Sequence, residues 1–249
     1  MRITVYRQLC RRLQDNAAQE DTLAYKGVAA LYSCTRLYQR LVRNPYLPVH
    51  HRTKSVYVHV PKTGGNSVTN ILYGTRSRWT GSHRGAWEYL NYSQEWYQQY
   101  FVFATVRHPL IRVHSAFYFL KCGGMNPRDK RWADQNLAPF ENFYDFMMAL
   151  KDRAYRKHIM RFLHFFPQIY FLCDAAGMPI VNHFVHTEDF EAGMRTVCEK
   201  LNIPYVPCHD NTTLRRDIRP GDFDDAPANI CYEIYQRDYE LLGYHRHVG

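Results

Sequence analysis

Apolar and polar positions change their period several times along the chain, and the changes mark its elements. Ser55-Val56-Tyr57-Val58-His59-Val60 is a short β-branched, apolar run halted by Pro61-Lys62-Thr63-Gly64-Gly65, which predicts a buried strand entering a glycine-rich turn. A helix is expected next, with Ser67 in its first turn and Val68, Ile71 and Leu72 facing inward. The succession returns at residues 101–106, a second strand ending at Arg107-His108-Pro109, where proline suits the first position of a new helix. Leu110, Val113, Phe117 and Leu120 form that helix's apolar stripe, while Arg112 and Ser115, three apart, share another face.

Residues 140–165 are aromatic-rich and read as mostly helical. Two runs, 169–172 and 180–185, flank a turn at Asp174-Ala175-Ala176-Gly177 and read as two short paired strands. Residues 188–201 read as helix, Tyr205-Val206 as a short strand, and 227–242 as a closing helix with Ile230, Ile234 and Leu241 inward. Strands alternating with helices indicate an α/β layer fold with a largely parallel sheet. The Pro- and His-containing stretch NPYLPVHHRTKS separates residues 1–50, a helical appendage, from one large domain over 51–249. Within the appendage Val28, Leu31, Tyr38 and Leu41 recur at helical spacing, a stripe that suits packing on the core or, failing that, lying on an anionic membrane.

Composition narrows the class. With 46% hydrophobic residues in 249, the chain can bury one continuous core without staples. Its 32 Lys and Arg against 23 Asp and Glu give a formal charge of +9, which favours anionic partners. Seven cysteines form no Cys-x-x-Cys pair, so neither a zinc site nor a complete disulfide framework is suggested and a reducing compartment is the simpler reading. No uninterrupted apolar stretch approaches a membrane span, and the first residues lack the apolar centre of a secretion signal. The chain therefore reads as soluble and cytoplasmic, with the Golgi lumen as the alternative if a segment precedes it.

The sharpest chemical feature is Pro61-Lys62-Thr63-Gly64-Gly65-Asn66-Ser67 between a strand and a helix. Glycines let consecutive N–H groups turn toward one point, the helix start adds partial positive charge, and Lys62 adds a full one, so a phosphate fits. The ordinary ATP-binding loop places its lysine after the glycines, and no acidic strand end for Mg²⁺ is evident, which disfavours a standard nucleoside-triphosphate hydrolase or a small-molecule kinase. At Arg107, with Arg112 and Ser115 on the next helix, an arginine at a strand's carboxyl end and a neighbouring hydroxyl suit a second phosphate. Each loop alone is an ordinary turn; together, in this order, they point to one ligand with two anionic ends.

YVHVPKTGGNSVTNIL resembles the 5′-phosphosulfate loop, and FATVRHPLIRVHSAFYFLK the 3′-phosphate motif, of sulfotransferases that use 3′-phosphoadenylyl sulfate. The later segments FFPQIYFLCDAAGMPIVNHFVHTEDFE, HDNTT and YQRDYELLGY are similar to the carbohydrate and heparan sulfate 2-O-sulfotransferase branch, so the resemblance spans residues 54–245. It implies a P-loop-like three-layer sandwich, 3′-phosphoadenylyl sulfate as donor, no metal, and a hydroxylated acceptor, most readily a carbohydrate. Lys62 would bind the 5′-phosphosulfate and stabilise the leaving phosphate, with Pro61, Thr63, Gly64, Gly65, Asn66 and Ser67 completing the cradle. Arg107 and Ser115 would bind the 3′-phosphate. Arg112 would either join them or pair with an acidic neighbour.

Sulfuryl transfer needs a base for the acceptor hydroxyl. His83 stands between the two motifs, where this branch often carries a histidine, and Glu88 is the second candidate. His50-His51 lacks the spacing of a zinc site. Arg215, beside Arg216, would close over the nucleotide or remain solvated. The polar stretch 121–139, with Arg128, Lys130, Arg131 and Trp132, reads as an acceptor-binding lid or a solvated flexible loop. Charge and 20 tyrosines also permit a nucleic-acid binder, yet no recognised nucleic-acid module appears.

Overall fold

The computed structural model describes residues 44–73, 83–207 and 219–246. The stripe over residues 28–41, the HDNTT segment and Arg215 lie outside them. Three strands, β1 (Ser55–Val58), β2 (Phe101–Val106) and β3 (His183–His186), form one parallel sheet in the order β1-β2-β3. Val58 pairs with Ala104 and Val106 with His186, so the strands end along one edge. The expected α/β class with a parallel sheet flanked by helices is what the chain adopts.

Alternation of side chains sorts the sheet's two faces. Tyr57, Phe103 and Val185 face α2 (Gly65–Tyr73) and α10 (Phe190–Lys200), where Val68, Ile71, Leu72, Met194 and Val197 complete a cluster. Val56, Val58, Val102, Ala104 and Val106 face the other side, against Ala86 and Tyr89 of α3 (Ala86–Tyr92), Tyr97 of α4 (Gln94–Gln99) and Phe171 and Leu172. Full burial of each such valine, leucine or phenylalanine stabilises by roughly 1.5–3 kcal/mol, which is why these short strands read as uninterrupted apolar runs. Tyr46 also joins this second cluster, four residues before the expected domain boundary, and α1 (Pro48–Thr53) crosses that boundary. A third core unites α5 (Pro109–Lys121), α7 (Phe143–Ala149) and α11 (Asp225–Leu242) through Phe117, Phe146, Tyr235 and Tyr239. Residues 140–165 are mostly helical as expected, in α7, α8 (Arg153–Ile159) and a 3₁₀ turn at Leu163–Phe165.

Three local expectations are corrected. Ile169–Leu172 is a helical turn, α9, and not the first strand of a pair. The buried carboxylate of Asp238 accepts from the N–H of Gln168 (2.8 Å) and of Ile169 (3.0 Å), satisfying the donors that open a helical turn. Only one antiparallel bridge, Cys173 with Pro179, remains of the expected pairing, and β3 instead extends the sheet parallel to β2. Tyr205-Val206 has no strand, since Pro204 and Pro207 on either side cannot donate to a ladder. Residues 121–139 are not a flexible loop: α6 (Pro127–Asn136) occupies them, capped by the Asn126 side chain, which accepts from the N–H of Arg128 and Asp129.

Candidate functional site

The first motif sits where β1 ends. Lys62 (φ 70°) and Gly64 (φ 78°) lie in the left-handed region on either side of Thr63, an alternation that turns successive N–H groups to one concave side. α2 begins at once, with Ser67 N–H donating to the Gly64 carbonyl at 3.0 Å. The N–H groups of Gly64, Gly65 and Asn66 precede the helix's own bonds, and partial positive charge gathers there. A Cβ on Gly65 would overlap the His59 imidazole where it lies, so the absence of a side chain lets that ring lean on the loop. Thr63 is fully buried, and its hydroxyl is spent internally. Tyr57 donates to Thr105 (2.6 Å), Thr105 to Thr63 (2.8 Å), and Thr63 to the carbonyl of Val60 (2.9 Å), tying the loop to β2. Thr63 thus reaches a ligand only through its backbone, beside the buried Pro61.

The Lys62 ammonium lies 3.7 Å from the centroid of the Phe119 ring, and no carboxylate among the described residues pairs with it. Burial, and then repulsion from Arg107, pull its pKa down to about 8. A cation kept half-desolvated without a counter-charge is a site for an anion.

Arg107 ends β2 one strand away. Its peptide is clamped by Gln168, whose Oε1 accepts from Arg107 N–H (3.0 Å) while Nε2 donates to the Arg107 carbonyl (2.7 Å). Glu188 accepts from the N–H of His108 (2.8 Å) and the hydroxyl of Tyr244 (3.0 Å). Burial works against the Arg107 charge, and Glu188 and Tyr244 support it. Gln168 and Glu188 escaped the sequence reading: they stand 61 and 80 residues from their partners, and nothing local marks them.

Ser115 lies half-buried on α5. Arg112, three residues earlier, turns into the core. It is fully buried, donating to the carbonyls of His164 (3.2 Å) and Phe166 (2.6 Å), and its charge faces the buried Asp238. Its hydrogen bonds go to two main-chain carbonyls, and Asp238 acts on it as a buried charge without a direct ion pair.

His83 is brought to the first loop. Its Nδ1 is 3.0 Å from the carbonyl of His59, and the two imidazoles have centroids 4.3 Å apart. A carbonyl only accepts, so in the neutral ring Nδ1 carries the proton and Nε2 offers the lone pair. Burial, the largest influence, lowers the His83 pKa and Lys62 adds to this, while the His59 carbonyl and the Asp129 carboxylate oppose it. Glu88 is already engaged: Oε1 accepts from Gly85 N–H (3.1 Å), capping α3, and Oε2 from Arg84 (3.1 Å). Burial raises its pKa, with Arg84 opposing.

His50 Nδ1 accepts from the N–H of Leu47 (3.0 Å) and His51 contacts the Tyr100 hydroxyl, so the pair points into local packing. Among the described residues no group of three His, Cys, Asp or Glu is placed to hold a metal, and no helix is long and apolar enough to cross a membrane.

No curated protein and no solved structure matches the chain with significance. A profile described as the Sulfotransferase family matches residues 45–245, a span that contains both strand-end loops and His83. With well over half of its length so matched, the chain belongs to the sulfotransferase family.

Proposed function

We propose that this sulfotransferase takes the sulfuryl group from 3′-phosphoadenylyl sulfate and passes it to a hydroxyl of a carbohydrate, within the heparan sulfate 2-O-sulfotransferase-like branch. One observation carries the reading: Lys62 and Arg107 stand at the same ends of neighbouring parallel strands, close enough for the charge of one to depress the pKa of the other. Two such cations with a concave run of N–H groups suit a nucleotide that is anionic at two positions.

The residues present fit that donor. The cradle of Lys62, Thr63, Gly64, Gly65, Asn66 and Ser67 receives the 5′-phosphosulfate, and Arg107 with Ser115 the 3′-phosphate. Arg112 acts as a support, holding the segment that presents Gln168 to Arg107. The donor supplies an activated sulfuryl group. His83 Nε2 removes the acceptor's proton as its oxygen bonds to sulfur, and the bond from sulfur to the bridging phosphate oxygen breaks in line with the attack. Lys62 neutralises the charge left on the departing phosphate. Glu88, occupied by its cap and its arginine, is the second candidate for the base.

Calorimetric titration with adenosine 3′,5′-bisphosphate, AMP, ATP with Mg²⁺ and a short oligonucleotide tests the donor. Two charge-assisted contacts contribute about 3–6 kcal/mol, so the bisphosphate should bind at least about a hundredfold more tightly than AMP. Equal affinity for the two, or preference for ATP with Mg²⁺, would sink the proposal. Transfer of labelled sulfate to a panel of saccharides tests the acceptor.

A further inference from the structure

Lys62 belongs to the first loop, and the ring it touches belongs to the second motif. Its ammonium stands 3.7 Å from the centroid of the Phe119 ring, well inside the range in which an aromatic face attracts a cation. Arg112, Ser115 and Phe119 follow at intervals of three and four residues, so the face of α5 that carries the candidate 3′-phosphate hydroxyl also carries this half-buried ring. Its surroundings brace it. The ring lies 5.2 Å from that of His164, whose carbonyl accepts from Arg112 (3.2 Å). Where α5 ends, Gly124 N–H donates to the Phe119 carbonyl and Gly123 N–H to the Leu120 carbonyl, both at 2.9 Å, a closure that Gly123 permits at φ 96°.

The titratable groups that act on Lys62 or feel its charge offer it no counter-charge. Arg107, from the end of β2, repels it, and His83 and His164 are imidazoles that burial keeps neutral. Asp129 of α6 acts on His83, and no carboxylate among the described residues pairs with the ammonium. A carboxylate in the ring's place would hold the lysine too, yet it would cancel the charge and have to be displaced by an incoming phosphate. A ring face attracts the ammonium through its quadrupole and leaves the net charge whole.

We propose that Phe119 is a positioning residue for Lys62, its ring face keeping the ammonium charged and fixed beside the cradle before any donor arrives. This role rests on the donor reading above and deepens it, since a residue of the 3′-phosphate motif then prepares the lysine that meets the 5′-phosphosulfate. Burial and Arg107 both favour loss of the Lys62 proton, and the ring opposes them. An ammonium already held in place spends less of the anion's binding energy on being ordered.

Changing the ring's charge distribution at nearly constant shape tests the role. Phe119 is exchanged for 4-fluoro-, 3,5-difluoro- and 3,4,5-trifluorophenylalanine, which drain negative charge from the face stepwise. Titration of the Lys62 side-chain carbon signal by NMR, assigned with Lys62→Arg, is followed in the nucleotide-free protein. The Lys62 pKa should fall with each fluorine, by about one pH unit over the series. Adenosine 3′,5′-bisphosphate affinity should fall in parallel at pH 8.5, by about five- to tenfold in the trifluoro protein, and stay within about twofold at pH 6.5, where Lys62 keeps its proton throughout. A ring that only fills space leaves binding unchanged or weakens it equally at both pH values, and either result overturns the proposal, as does a Lys62 titration indifferent to fluorine. Preference for the bisphosphate over AMP is judged on the parent protein and the Lys62 titration needs no nucleotide, so failure of the donor reading is distinct from failure of this one.

Discussion

Nδ1 of His83 and the main-chain carbonyl of His59 lie 3.0 Å apart, although 24 residues separate them in sequence. This contact anchors the imidazole to the strand that feeds the cradle and selects the tautomer whose Nε2 is free to take a proton. His83→Ala is expected to keep adenosine 3′,5′-bisphosphate affinity within about threefold and to lower kcat by about 10²–10⁴-fold. Burial keeps the ring neutral below the usual histidine pKa, so the acid limb of kcat should fall below about pH 6.5. Glu88→Gln should retain most turnover and its cap, since the amide oxygen still accepts from Gly85 N–H, while the ion pair with Arg84 is lost. Turnover lost in the glutamine variant and kept in the alanine one reverses the assignment.

Lys62 sets the pH range of donor binding. The free protein's Lys62 loses its proton near pH 8, and a bound anion favours the protonated form. Binding must then take up a proton above that pH, and affinity for the bisphosphate should fall toward tenfold per unit as pH rises past about 8. Calorimetry at pH 9 in buffers of different ionisation enthalpy would register the uptake. A pH-independent affinity between 7 and 9.5 excludes Lys62 from the binding step.

Gly65 is required by its neighbour rather than by its own backbone. A methyl group there overlaps the His59 ring, and that ring lies against His83. Gly65→Ala should displace both imidazoles, cut kcat and weaken the loop's hold on the bisphosphate, and removing the obstacle in Gly65→Ala/His59→Ala should restore that affinity. If the single substitution leaves kinetics unchanged, the close approach has no bearing on the site.

Arg112 tests support against ligation. Arg112→Met leaves two buried carbonyls without donors and Asp238 without its nearby cation, a loss of about 3–5 kcal/mol. Urea unfolding should show that loss. Below the transition, bisphosphate affinity should stay within a few-fold of the parent, whereas Arg107→Ala should lose the preference over AMP. A large affinity loss in a still-folded Arg112 variant would return it to the phosphate site.

Buried histidines make the fold acid-sensitive. Burial holds the pKa of His50 near 4 and that of His164 near 3, against 6.5 in the unfolded chain. Folded values are thus depressed: the unfolded chain takes up protons first, and stability present above pH 6.5 is lost as pH falls toward 4. At pH 5 the two contribute a loss on the order of 2 kcal/mol each. The urea midpoint should drop between pH 7.5 and pH 5, and a flat profile would contradict the neutral burial of these rings.

Sequence alone determined the features that are local in origin. Apolar runs at 55–58 and 101–106 became adjacent parallel strands, Gly64 and Gly65 marked the turn, Pro109 opened α5, and the stripe of Leu110, Val113, Phe117 and Leu120 chose its buried face. Each follows from side-chain period or backbone freedom within a few residues. What the tertiary structure decided was where the polar groups went. Ile169–Leu172 is apolar enough for a strand, but Asp238 from the last helix caps it into a turn. Arg112 has the composition of a ligand, yet two distant carbonyls and Asp238 take it inward. Gln168 and Glu188, which hold the chain at Arg107 and His108, carry no local mark at all. A buried charge or amide is stable only beside its partner, and partners 50 or more residues away are chosen by the packing of whole elements, which no window of sequence contains.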